Sequence, residues 1–328
     1  MSRTMNSNEE IELKFFVNSE LSSDAVVALV DQNLSDYDLL KLPRRKLGST
    51  YYDTPDLLLR NHRVGFRVRT DGQSFEETVK TGSRTGGGLH SRTEHNIPLD
   101  TDHPDLKRVP GEFWEQTGID QSRLNQELKP LFVTDFCRIR RKVMKEGRVI
   151  AEFCFDSGRI TAGDRFELIG EIELELVDGT VAELLQLARK MVDNAALKLH
   201  LDSRSKAQRG FELAGLSVPP SAKSFLLLDG EPEVLVRAYF DMYLEHEQIL
   251  LSRFDLRSLS VMTLAAYQLQ KLTNDSRFNL LIPALLELER MVADSEGRHK
   301  KFIRLISSRS YLVFILDSYA KIYCGVTL

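Results

Sequence analysis

The sequence predicts an α+β protein: an antiparallel sheet or barrel of seven or eight strands in residues 8 to about 215, then an all-helical region. Two observations lead there. Charged residues fall at every second position in short segments, first in Glu10-Ile11-Glu12-Leu13-Lys14 and most clearly in Glu171-Ile172-Glu173-Leu174-Glu175. A strand sends alternate side chains to opposite faces, so each segment has one charged and one apolar face. After about residue 216 the period changes to that of amphipathic helices.

The strand segments follow in order. Glu10 to Val17 opens the series, and Arg63 to Thr70 places Arg67 and Arg69 on one face. Phe75 to Thr81 places Thr78 with Lys80, and His90 to Ile97 pairs Arg92 with Glu94. Asp135 to Val143 carries Arg138 and Arg140, Val149 to Asp156 ends on Asp156, and Glu167 to Val177 holds the acidic string. Lys145-Glu146-Gly147-Arg148 is a hairpin turn, and Gly82 to Gly88 reads as a flexible loop. Ser22 or Ser23 caps a helix through about Leu34, with Val26, Val27 and Val30 on its apolar face. Thr180 and Glu183 have capping-box spacing for a second helix, whose Leu184, Leu187, Ala188 and Met191 pack outside the sheet. Pro219-Pro220-Ser221 marks a boundary between a first domain, 1–215, and a second, 216–328. Beyond it Glu233 to Gln248, Leu256 to Leu272, Phe278 to Ala293 and His299 to Tyr319 read as helices of an antiparallel bundle.

Bulk composition narrows the function classes. The 328 residues are 42% hydrophobic and 28% charged, as expected of a globular protein of two domains. The 44 basic and 48 acidic residues give a formal charge of -4, which argues against a large nucleic-acid surface but not against a local basic pocket. Cys137, Cys154 and Cys324 have neither metal nor disulfide spacing, which fits a reducing compartment. No apolar run approaches membrane length and the N-terminus lacks an apolar signal core, so a cytoplasmic location without membrane contact is expected.

Gathered on one interior face, Lys14, Arg67, Arg69, Lys80, Arg92, Arg138 and Arg140 would repel one another unless a polyanion lay among them. The planar arginine fork suits two phosphate oxygens at once. Glu10, Glu12, Glu171, Glu173 and Glu175 supply hard oxygen ligands suited to Mg²⁺ or Mn²⁺. Acid and base together fit a phosphate chain bridged by a divalent cation. The bland alternative is a set of amphipathic strands whose charged faces form ion pairs in water.

The ordered motifs resemble the CYTH superfamily, the triphosphate tunnel metalloenzymes. They run through Glu10, Glu12 and Lys14, Tyr51-Tyr52-Asp53-Thr54, Phe66-Arg67-Val68-Arg69, Glu77-Thr78-Val79-Lys80 and Arg92-Thr93-Glu94. Thr134-Asp135-Phe136-Cys137-Arg138, Phe155-Asp156-Ser157-Gly158, Glu171 to Glu175 and Ser205-Lys206-Ala207-Gln208-Arg209-Gly210-Phe211 complete the order. The resemblance implies an eight-stranded antiparallel tunnel with helices outside it. It implies a metal group of Glu10, Glu12, Asp156, Glu171, Glu173 and Glu175, and a phosphate group of Lys14, Arg67, Arg69, Lys80, Arg92, Arg138 and Lys206, to which Arg140 is added as a further candidate of the same strand parity. Glu173, Lys14 and Arg69 are the residues expected to carry the reaction, phosphoryl hydrolysis by metal-activated water, with no serine, cysteine or histidine nucleophile. Asp53 and Thr54 are expected to hold a turn near the tunnel mouth, and His90 to be peripheral.

The substrate implied is inorganic tripolyphosphate, split to pyrophosphate and phosphate. A class IV-like adenylate cyclase, a thiamine triphosphatase and a non-catalytic polyphosphate-binding module are the alternatives. The order of a CYTH region before helices resembles bacterial inorganic triphosphatases with a C-terminal CHAD domain, as does Ile169-Gly170-Glu171 to Gly179. The tail departs from that pattern: it is short, holds only His246 and His299, and scatters its bases, among them Arg253, Arg257, Arg304 and Arg309. A shortened CHAD domain and a scaffold or homodimerisation bundle both fit it.

Overall fold

The computed structural model describes residues 9–18, 20–86, 89–194, 196–218, 220–292 and 294–327, with the side chains of 9, 10 and 82–93 outside the described set. Its first part runs β1 Glu9–Val17, α1 Ser23–Asn33, β2 Asp38–Asp53, α2 Leu58–Asn61, β3 Val64–Thr70, β4 Phe75–Gly86 and β5 Leu89–Leu99. Helices α3 Gly111–Thr117 and α4 Gln121–Glu127 follow, then β6 Lys129–Lys145, β7 Arg148–Ala162, β8 Arg165–Leu176, α5 Val181–Met191, β9 Leu199–Leu201 and α6 Lys206–Leu213. The second part is helical: α7 Pro232–Ser252, α8 Leu256–Thr273, α9 Phe278–Arg290, α10 Ser295–Ile306 and α11 Arg309–Tyr319, ending in a short π-helix.

The strands pair antiparallel in the order β5-β4-β3-β2-β6-β7-β8-β1-β9. β1 also pairs with β5, Glu9–Leu13 against Leu89–Thr93. Leu13 thus has β5 on one side and β8 on the other, while Phe15 and Phe16 lie between β8 and β9. The first and last strands of the run from β5 to β1 are therefore neighbours, and the sheet curls around an interior. The expected eight strands are nine, because the three-residue β9 adds to the edge of β1 beyond β5.

Local chemistry explains the elements. Glu146 and Gly147 both have positive φ, 53° and 76°, the two-residue turn whose twist suits the β6–β7 hairpin. Ser22 accepts from the Ala25 amide at the start of α1, and the Thr180–Glu183 capping box is complete at the start of α5. Two expectations need correction. The stretch from Gly82 to Gly86 continues β4 as strand, with a register shift between Thr81 and Arg84. The expected helix His299 to Tyr319 is two helices, because Ser308 Oγ accepts from the Tyr311 amide at 3.3 Å and starts α11 afresh.

Asp53 shows how the motif Tyr51-Tyr52-Asp53-Thr54 acts. Buried at the end of β2, its carboxylate accepts from the amides of Thr54 (2.8 Å), Leu59 (2.9 Å) and Arg60 (3.0 Å). It caps α2 and fixes the turn, as expected. Asp53→Ala leaves these donors without their acceptor and should lower stability by about 2–3 kcal/mol in urea denaturation. An unchanged midpoint would remove Asp53 from this role.

The apolar face of β1, β7 and β8 packs outward against α1 and α5 through Leu13, Phe15, Phe153, Phe155, Ile172 and Leu174. The same cluster continues without a break into the helical part, through Tyr239, Phe240, Leu285 and Ile315. A second cluster lies outside β3 and β4 beneath α3 and α4, with Phe66, Val79, Phe113 and Trp114. A third lies on the inner face: Leu47, Tyr51, Phe132, Phe136, Ile160 and Ile169, with Phe211 of α6 seated on it.

Candidate functional site

The inner face of the sheet is polar where it is not covered by α6, yet it is not in water. Lys14, Thr78, Asp156 and Glu171 are each at most 2% exposed, which excludes the solvent-facing ion-pair reading for this region. Cross-strand register explains the grouping. Lys14 on β1 lies directly opposite Glu173 on β8, Asp156 on β7 opposite Glu171, and Arg138 on β6 opposite Asp156. Residues so placed are side-chain neighbours.

Asp156, Glu171 and Glu173 form the centre. One carboxylate oxygen from each lies within 4.8 Å of the others. Lys206 Nζ reaches all three: it is 2.6 Å from Asp156, 3.0 Å from Glu173, and hydrogen-bonded to Glu171. Arg138 holds Asp156 bidentately, at 2.7 and 2.6 Å, and Glu173 at 2.6 Å. Lys14 Nζ stands 3.9 Å from both Glu171 and Glu173. Arg209 donates to Glu171 at 2.9 Å and to Glu167 at 2.6 Å.

These contacts set the titration of the groups. Burial alone would push the Glu173 carboxyl up, but Lys206, Arg138 and Lys14 hold it well below the usual carboxylate range. Burial pulls the Lys206 ammonium down, and the three carboxylates more than offset this and raise it. Glu173 is therefore charged and acceptor-only, and it converges with Asp156 and Glu171 on one cation. Three hard oxygen donors around one ammonium are also a donor set that suits Mg²⁺ or Mn²⁺.

Away from this centre the inner face is basic. Arg67 and Arg69 on β3 share it with Tyr51 and Ser49 of β2, directly across in register. Arg67 is 8% exposed, and its Nε meets no hydrogen-bond partner among the described residues. Arg69 Nε reaches Ser49 Oγ at 3.4 Å. Burial and the neighbouring guanidinium groups of Arg67 and Arg138 lower Arg69 to about 9. Burial pushes the Tyr51 phenol up, but Arg67 and its neighbours outweigh that and lower it. A cavity of about 410 Å³ lies at the β3–β4 turn end of these strands, lined by Ser49, Arg69 and Thr134 but also by Asp71, Asp102 and Asp135.

The remaining candidates fall around these groups. Lys80 pairs with Glu94, and Arg140, the next inner-face residue of β6 after Arg138, pairs with Glu152 at 3.4 Å. Glu12 stands directly opposite Glu175, a like-charged pair that a nearby cation would offset. Glu10 and Arg92 are opposite one another in the β1–β5 register, and their side chains, with that of His90, lie outside the described set. Arg209 was not among the expected site residues. Its signal was its spacing of three from Lys206 on one helix, which places both on the same side of α6. In the tail, His246 is buried and bonded to the carbonyls of Met242 and Lys223, and Arg309 pairs with Asp193.

A curled antiparallel sheet whose buried interior interleaves carboxylates with arginine and lysine has the donor groups that a polyanion and a cation would each need. The CYTH domain model matches residues 8–211, and the chain belongs to that family. The inorganic triphosphatase of Haemophilus influenzae is 33% identical over 207 residues, 62% of this chain and 55% of that protein. The chain thus spans about half the length of that curated relative. Among solved structures, a Hippeastrum protein described as revealing a dominant triphosphatase activity aligns with a TM-score of 0.48 and 18% identity, over 64% of this chain and 98% of its own. A Bacillus halodurans protein named as an adenylate cyclase candidate aligns with a TM-score of 0.34 and 18% identity, over 66% and 96%. Among the described residues, no helix is long and apolar enough to cross a membrane.

Proposed function

We propose that this chain is a metal-dependent triphosphatase that hydrolyses inorganic tripolyphosphate to pyrophosphate and phosphate. The observation that carries the reading is the buried convergence of Asp156, Glu171 and Glu173 with Lys14, Arg138 and Lys206, beside the arginine pair on β3. The similarity to an inorganic triphosphatase supports the choice of substrate.

Asp156, Glu171 and Glu173 would hold Mg²⁺ or Mn²⁺, with Glu175 on β8 and Glu10 and Glu12 on the neighbouring β1 as further ligands. When bound, the metal supplies charge neutralisation of the phosphate chain and activation of water. The chain's own residues do the rest. Arg67, with its unpartnered Nε, and Arg69 bind phosphate oxygens; Lys80, Arg92 and Arg140 extend that surface. Lys14, Arg138 and Lys206 already touch the acids, so they stand between metal ligands and phosphate and restrain both. Their charge offsets the negative charge that grows on the leaving pyrophosphate. The buried setting strengthens each of these interactions.

Purified protein with Mg²⁺ or Mn²⁺ should release phosphate from tripolyphosphate well above release from ATP or thiamine triphosphate. Cyclic AMP and pyrophosphate from ATP would instead identify a cyclase. Tight binding of polyphosphate without phosphate release, across metals and pH values, would leave a binding module and end the hydrolase reading.

A further inference from the structure

Two of the interior cations belong to different elements, Lys14 to β1 and Lys206 to the first turn of α6. What sets one against the other is the stretch from Asp202 to Ser205, which has no helix or strand of its own. The Asp202 amide donates to the Lys14 carbonyl at 3.2 Å. Lys14 Nζ donates in return to the Arg204 carbonyl at 3.3 Å. Arg204 is folded back on Asp202 through its own amide, at 2.8 Å, and its guanidinium, at 2.9 Å. Ser205 Oγ then accepts from the Gln208 amide and starts α6, with Lys206 as its next residue.

This stretch is held from outside by one side chain of the helical part. Gln248 of α7 accepts, at its Oε1, from the Ser203 amide (2.7 Å) and the Ser203 hydroxyl (2.8 Å). Its Nε2 donates to the Leu201 carbonyl at 3.3 Å. The amide group therefore spans the end of β9 and the segment after it. Gln248 is itself firmly placed, because Tyr243, Leu244 and Leu250 of the same helix are buried in the shared core.

We infer that Gln248 is a positioning residue for the phosphate-binding cations: by clamping Leu201 and Ser203 it fixes the loop whose Arg204 carbonyl receives Lys14 and whose next turn presents Lys206. The helical part thereby acts on the interior site without lending it a ligand. This inference rests on the proposed function: its activity arm on hydrolysis, its calorimetric arm only on the binding of tripolyphosphate. A shift of about 1 Å in a positioned group is enough to change turnover strongly.

The test compares wild type with Gln248→Leu, Gln248→Glu and Leu285→Ala, the last a core change on α9 rather than on the helix that carries Gln248. Tripolyphosphate affinity is measured calorimetrically, and kcat and KM by phosphate release with Mn²⁺. Gln248→Leu should weaken affinity and raise KM roughly 10-fold or more. Gln248→Glu keeps the acceptor for Ser203 but sets a carboxylate oxygen where Nε2 donated to Leu201, so it should fall between wild type and Gln248→Leu. Leu285→Ala should lower the melting temperature with KM unchanged. The inference is overturned if Gln248→Leu matches wild type in both measurements. It is equally overturned if Gln248→Glu is no better than Gln248→Leu, or if Leu285→Ala raises KM to the same degree. A wild type that binds tripolyphosphate but releases no phosphate ends the hydrolase reading, while the calorimetric comparison still decides Gln248.

Discussion

Replacing Glu173 by alanine should reduce metal-dependent phosphate release by at least about 100-fold while leaving the chain folded. Glu173 is the meeting point of the interior: it contacts Arg138 and Lys206 directly and lies near Lys14. Its removal takes one oxygen donor from the acidic centre and frees cations to rearrange. The fold should survive because Glu173 sits on the inner face, while the packed side of β8 is made by Ile172 and Leu174. Glu173→Gln separates charge from shape: it fills the same space with a neutral amide, so it should lose most of the activity too. Steady-state kinetics with a Mn²⁺ titration reads both, and circular dichroism reports the fold. Turnover equal to wild type in either variant would exclude Glu173 from the reaction.

Gly158→Ala should cost about 3 kcal/mol of stability or more. Gly158 on β7 lies across from Phe136 on β6. A Cβ added there would stand 2.1 Å from the Asp135 carbonyl oxygen and 2.5 Å from the Phe136 Cα. Both are backbone atoms in a paired strand, so neither can swing aside as a side chain could. Relief requires β6 to move away from β7, two residues from Arg138 and Asp156. Activity should therefore fall with stability. The neighbouring Ser157→Ala, with no such contact, should change the urea midpoint by no more than about 0.5 kcal/mol equivalent. Equal midpoints for the two variants would show that the strands have room to spare.

The strands that were legible carry their information in alternation. Glu12 and Lys14, like Glu171 to Glu175, have charges on the enclosed face and large apolar residues on the packed one, so each face is chemically uniform. β2 carries no such signal, for the opposite reason. From Asp38 to Lys46 most of its residues are exposed or half-exposed on both faces, and Pro43 sits at a register shift between Leu42 and Arg45. Nothing there forces a period. β9 is too short to have one. The break at Ser307-Ser308 was hidden because apolar residues continue across it, from Phe302 and Ile306 to Tyr311 and Ile315, all in one core. Within the site, residues on β1, β6, β7 and β8 were readable as a group because strand parity fixes their side. Arg209 was not, since its aim depends on where α6 is seated. That seat is set by Phe211 against Phe132 and by Gly210, where a Cβ would stand 2.1 Å from the Phe132 ring. The clamp by Gln248 is a contact between residues 45 apart in sequence and has no local signature.

The unbroken core that joins the outer face of β1, β7 and β8 to the helices constrains how such a chain can change over time. Helix α5 has the sheet on one side and α11 on the other, so both of its neighbours share its leucines. The helical part is therefore a wall of the building rather than an annex. A lineage could trim or extend it only on surfaces that face away from α5. Losing it outright would require new polar residues across the bared leucines and phenylalanines, many substitutions at once. Drift in the bundle core is thus coupled to the sheet that encloses the acids and bases.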